Sequence, residues 1–128
     1  MLIDSHCHIE KDEVAERAYA AGVAVLLNAG KDLDVSVEQV LMCRKFNVQA
    51  GKSVMWTSAG VHPDSAAEKL GKITVEDIVA FAESPEVIAI GECGLDYHYG
   101  AEYQDEQKEM FRRHVEAAGM TSLPLMKI

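Results

Sequence analysis

Short apolar runs alternate with amphipathic stretches along the whole chain. Residues 2–8 begin apolar and turn polar, as a strand does where it leaves a sheet. Residues 11–21 place Val14, Ala18 and Ala21 at helical spacing, and Gly22 supplies a stop. The run Val23-Ala24-Val25-Leu26-Leu27 is continuously apolar, the pattern of a strand buried on both faces. Residues 36–46 predict a second helix with Val37, Val40 and Leu41 on one side, and residues 54–61 a third strand. Thr74 is placed to cap a helix whose Val75, Ile78, Val79 and Ala82 follow the i, i+3, i+4, i+7 stripe. Residues 87–90 read as a fourth strand. Residues 102–118 read as a longer helix with Met110, Phe111, Val115 and Ala118 inward. Its Glu102, Asp105, Glu106 and Glu109 form a solvated face. Residues 123–128 open a fifth strand.

Repeated strand–helix units predict an α/β fold with a parallel sheet and right-handed crossovers. Two architectures satisfy that pattern: a small doubly wound sheet, or the first half of an eight-stranded barrel, which needs ~250 residues in full. Both carry their chemistry at the carboxyl ends of the strands. The chain's 128 residues are one domain's worth, spanning 1–128, and enough to bury a core. No run approaches the ~20 apolar residues of a membrane span, so no membrane partner is expected. The N-terminus lacks the basic region and long apolar stretch of a secretory signal. Three cysteines, Cys7, Cys43 and Cys93, have no paired spacing, which favours reduced thiols and a cytoplasmic protein. The net charge of −9 repels nucleic acid unless local charge or bound cations reverse the field.

Candidate chemistry follows the first, third and fourth strands. His6 and His8 share one face by strand alternation, with Asp4 behind them, and two imidazoles there can hold one metal ion. Gly60-Val61-His62-Pro63 follows the third strand, where His62 either caps a turn or faces a ligand. Gly91-Glu92-Cys93-Gly94-Leu95-Asp96 follows the fourth. Glu92 comes directly after an apolar run, and a carboxylate there needs a cation, an arginine or a metal as partner. Asp96 either braces its loop or touches substrate. Tyr97 and His98 are loop candidates for substrate contact, His114 reads as a helix-face residue, and Cys7 and Cys93 read as small packing residues.

Asp4-Ser5-His6-Cys7-His8, Gly60-Val61-His62-Pro63 and Ile90-Gly91-Glu92-Cys93-Gly94-Leu95-Asp96-Tyr97, in that order and spacing, resemble the TatD family of metal-dependent deoxyribonucleases. The helix carrying Gln107 and Phe111 and the final Leu123-Pro124 resemble it too. The resemblance implies the N-terminal half of a TIM barrel that cleaves DNA phosphodiester bonds with divalent ions, magnesium, manganese or zinc. It assigns His6, His8 and Glu92 to the metal, with Glu92 bridging toward a second ion. It assigns Glu92 and His62 to catalysis, and His62 and Asp96 to substrate contact. Family members run to about twice this length, as full barrels do, and the histidines and aspartate of their later strands are absent here. The expectation is therefore weak ion binding, little turnover, and self-association of the half-barrel. An amide- or ester-cleaving enzyme on the same scaffold, and a non-catalytic metal-binding half-barrel, are the alternatives.

Overall fold

The computed structural model describes residues 1–98 and 101–128. Five strands, β1 (Leu2–Cys7), β2 (Val23–Asn28), β3 (Val54–Ala59), β4 (Val87–Cys93) and β5 (Leu125–Lys127), alternate with helices. The helices are α1 (Asp12–Ala20), α2 (Leu33–Asn47), α3 (Ala66–Lys69), α4 (Val75–Phe81) and α5 (Gln104–Thr121). Single 3-10 turns at Pro63–Ser65 and Ala101–Tyr103 precede α3 and α5. All pairings are parallel, and the sheet order is β1-β2-β3-β4-β5. A doubly wound sheet reverses its strand order at a switch point. This sheet has no reversal, so it is the N-terminal half of a TIM-type barrel.

The helices pack on one face of the sheet. Ala15, Leu26, Cys43, Phe46 and Met55 form one cluster there. Val40, Ala59, Ile78, Val87, Ile90 and Ala117 form a second. The opposite face is open: Ile3, Val54 and Ile88 are 62%, 40% and 37% exposed. The apolar run of β2 is therefore not buried on both sides. Leu26 is buried against the helices, whereas Val25 and Leu27 on the other face are half-buried.

Both long helices turn inward a face that only partly overlaps the one their apolar spacing predicts: Val40 and Met110 are buried, and Phe111 and Ala118 half-buried. On α2 the buried residues are Ser36, Gln39, Val40, Cys43 and Phe46, while Val37 and Leu41 are exposed. Ser36 Oγ donates to Asp32 O and Gln39 Nε2 to Ala29 O, so these polar groups are satisfied inside. On α5 the buried stripe is Gln107, Met110, His114 and Ala117, with Val115 exposed. The cap of α4 is as predicted. Thr74 Oγ1 accepts from Asp77 N–H, and the Asp77 carboxylate accepts from Thr74 N–H. The short helical turns of residues 63–69 carry no apolar stripe and were not expected. Strand β4 runs three residues past its apolar core, so Glu92 lies within the strand and not after it.

Candidate metal centre at the carboxyl edge of the sheet

β1 delivers two imidazoles to this edge. The Asp4 carboxylate accepts from His6 N–H at 3.1 Å, steadying the backbone as the strand ends. The His6 and His8 rings meet edge to face with centroids 5.3 Å apart. Both side chains are about one-third exposed, so the group is open to approach from solvent.

β4 delivers the carboxylate. Gly91 has φ +141°, and a Cβ there would lie 2.2 Å from Met126 O. A Cβ on Gly60 would lie 2.5 Å from the Gly91 carbonyl carbon. Only glycine lets the three backbones of β3, β4 and β5 crowd together at this point. Glu92 N–H then donates to Gly30 O at 2.8 Å, tying β4 to the loop after β2. The Glu92 side chain is buried and turned toward β1. His6 Nε2 lies 3.2 Å from its Oε1, and His8 Nε2 3.5 Å from its Oε2. One ligand atom from each of the three residues falls within 4.8 Å of the others.

Among the described residues Glu92 Oε2 has no hydrogen-bond partner. A buried carboxylate oxygen left without one is costly, and a cation between it and the two imidazoles removes that cost. Two imidazole nitrogens and a carboxylate suit a borderline or hard divalent ion. Burial, then the neighbouring Lys31 charge, pushes the His8 imidazole below its ordinary value, against the opposing pull of Glu92. That favours the neutral form, the one that can ligate.

His62 stands beside this group. Its Nε2 is 3.9 Å from Glu92 Oε1, and its Nδ1 side is held by the Asp64 carboxylate. Asp64 N lies 3.3 Å from the same Nδ1, so the ring sits over the start of the 3-10 turn. The turn-capping and site-facing readings of His62 thus coexist in one geometry. Asp96 sits outside the His–Glu group. Its backbone N–H donates to Gln107 Oε1, its carbonyl accepts from Gln107 Nε2, and its carboxylate accepts from His98 N–H. Those bonds brace the loop. Tyr97 and His98 are exposed on the same loop. Cys7 Sγ donates to Leu27 O and Cys93 Sγ to Met126 O, both as packed thiols.

His114 is the residue that periodicity misplaced. It is fully buried, accepting from Val61 N–H at Nε2 (2.9 Å) and donating from Nδ1 to Met110 O (2.7 Å). It holds the backbone one residue ahead of His62. The signal available was its place on the Gln107, Met110, His114, Ala117 stripe, spaced 3, 4 and 3.

A singly wound parallel βα half-barrel defines the TIM-barrel class, and its carboxyl edge carries imidazoles from β1 and a buried carboxylate from β4 that could hold a metal ion. The chain belongs to the TatD related DNase family, whose family model matches residues 3–126. It is 32% identical over 124 residues to the "3'-5' ssDNA/RNA exonuclease TatD" of Salmonella typhimurium, covering 97% of this chain and 45% of that protein. It is 37% identical over 116 residues to the Citrobacter rodentium protein of the same name, covering 91% and 41%. A crystal structure of a TatD family hydrolase from Entamoeba histolytica superposes with a TM-score of 0.80 at 20% identity, covering 97% of this chain and 48% of that one. The chain thus spans a little under half the length of the curated relatives it matches.

Proposed function

We propose that this chain carries the imidazole–carboxylate part of a divalent-metal site for hydrolysing nucleic-acid phosphodiesters, with single-stranded substrate favoured. The observation that carries this reading is the buried Glu92 carboxylate facing His6 and His8, with no hydrogen bond to its Oε2. The names of the relatives support the substrate class.

His6 and His8 offer their Nε2 lone pairs, and Glu92 offers both oxygens. Magnesium, manganese or zinc held by these residues supplies Lewis acidity and charge compensation for the phosphoryl group. Such charge also offsets the chain's acidity where a phosphate must approach. His62, its ring oriented by Asp64, presents Nε2 at the edge of the group and carries a proton to or from a reacting oxygen. The Asp96 loop, braced through Gln107, frames the substrate side.

Titration calorimetry with manganese, magnesium and zinc, run on the chain and on Glu92→Gln, tests the reading beside cleavage of an end-labelled single-stranded oligonucleotide. We expect weak saturable binding and slow metal-dependent shortening of the oligonucleotide, both lost in Glu92→Gln. Binding without cleavage would leave a non-catalytic metal-binding half-barrel. Wild-type chain that binds none of the three ions refutes the proposal.

A further inference from the structure

Two clefts flank the imidazole–carboxylate group, and one cation borders both. The larger, about 340 Å³, lies between the β1 exit and α2 and is walled by Ile9, Val35 and Met42, with His8 at its margin. The smaller, about 220 Å³, contains Asp32, His62, Asp64 and Ser65. Lys31 lines each of them. Its backbone is tied to both sides of the site. Gly30 O accepts from Glu92 N–H at 2.8 Å, and Lys31 O accepts from His62 N–H at 2.8 Å. The Lys31 side chain therefore starts from a point fixed relative to the two residues it stands between.

No carboxylate pairs with it among the described residues, although Glu10, Glu38, Asp32 and Asp64 line the same clefts. The acids next in the chain, Asp32 and Asp34, are held by Lys69 Nζ at 3.0 and 2.8 Å. Lys31 is exposed and forms no ion pair among the described residues. In a chain of net charge −9, an open ammonium at this margin is a place for an anion. The larger cleft itself repels one, because Glu10 and Glu38 border it. Its aliphatic wall suits an uncharged, flat group, and its size falls in the ~300–1,000 Å³ range of small-ligand pockets.

We infer that Lys31 and the cleft between β1 and α2 form a nucleotide subsite. The ammonium takes the phosphate neighbouring the one that faces His6, His8 and Glu92, and the aliphatic wall takes the attached base. The inference rests on the nucleic-acid reading above.

The test is fluorescence anisotropy of a fluorescein-labelled hexathymidylate with phosphorothioate linkages, in manganese, over a range of salt. Wild type, Lys31→Met and Lys31→Arg are compared, with Trp56 fluorescence melts to confirm that each is folded. Lys31→Met should weaken binding about tenfold, the scale of one charge-assisted contact. It should also flatten the slope of log affinity against log salt by ~0.7, the value for one phosphate on a single strand. Lys31→Arg should keep both. An abasic residue moved along the oligonucleotide should cost affinity at one position in wild type, and Met42→Glu should erase that dependence. Oligonucleotide binding that Lys31→Met leaves unchanged overturns the subsite and spares the parent reading. Wild type that binds no oligonucleotide overturns the parent reading and the subsite with it. Equal affinity at every abasic position overturns the base cleft.

Discussion

Replacing His114 with Leu removes a buried brace while nearly keeping its volume. Its Nε2 is the acceptor for Val61 N–H at 2.9 Å, and both groups are buried. Leucine leaves that N–H without a partner, which costs about 1–3 kcal/mol. The Met110 carbonyl loses only its second bond, since α5 (Gln104–Thr121) already supplies its helical one. The net expectation is about 2 kcal/mol, or a melting temperature lower by about 8 °C for a chain of this size. The loss should depend on pH. Burial lowers the His114 imidazole below its ordinary value of 6.5, with the Met110 carbonyl opposing weakly. Above 6.5 the ring is neutral folded and unfolded, so its contribution is fully present. Below 6.5 the unfolded chain takes the proton first, and stability falls by up to about 1.4 kcal/mol per pH unit until the lowered folded value is reached. Urea melts followed by the single tryptophan, Trp56, at pH 8 and pH 5.5 measure both effects. The gap between wild type and His114→Leu should narrow at pH 5.5, because only wild type loses this contribution. A variant as stable as wild type at pH 8, or a gap indifferent to pH, refutes the account.

Thr74→Ala should cost about 1 kcal/mol by opening the capping box of α4, and Thr74→Ser should restore most of it; denaturant midpoints decide. The open face of the sheet, with Ile3, Val54 and Ile88 exposed, and the unpaired outer edges of β1 and β5 should drive self-association. Sedimentation velocity should show species above the monomer that Ile88→Lys shifts downward, and a wild-type chain monomeric across concentrations would contradict this.

All five strands and the helices α1, α2, α4 and α5 were legible, because short apolar runs and an apolar period of 3.6 residues set element type. So was the grouping of His6, His8 and Glu92 on one sheet edge, since βα repeats place strand ends together. The inward faces of α2 and α5 were legible only in part, at Val40 and Met110. Ser36, Gln39, Gln107 and His114 go inside because each finds a backbone group to bond, and hydropathy does not register that. The reach of β4 through Gly91-Glu92-Cys93 was also hidden, because glycine and glutamate break the apolar run while the ladder to β5 continues. Lys31 carried no pattern at all. Its open charge follows from Lys69 reaching back 35 and 37 residues to occupy Asp34 and Asp32, a long-range event.

The three packed thiols give this fold a set of internal clocks. Burial pushes Cys7, Cys43 and Cys93 each up to about 12; the buried Cys43 and Cys93 are closed to an alkylating agent, and the half-buried Cys7 is slowed. Cys7 belongs to the strand that delivers the imidazoles, Cys93 adjoins the carboxylate, and Cys43 lies on α2 behind the aliphatic cleft. Alkylation of Cys43 and Cys93 requires local opening, and its rate relative to a free thiol reports the free energy of that opening, while Cys7 reports the packing of its strand end. Mass spectrometry of the labelled peptides therefore times the imidazole strand, the carboxylate strand and the cleft wall separately, in one molecule and without adding a probe. Loading the site with an ion should slow Cys7 and Cys93 together and leave Cys43 at its own pace.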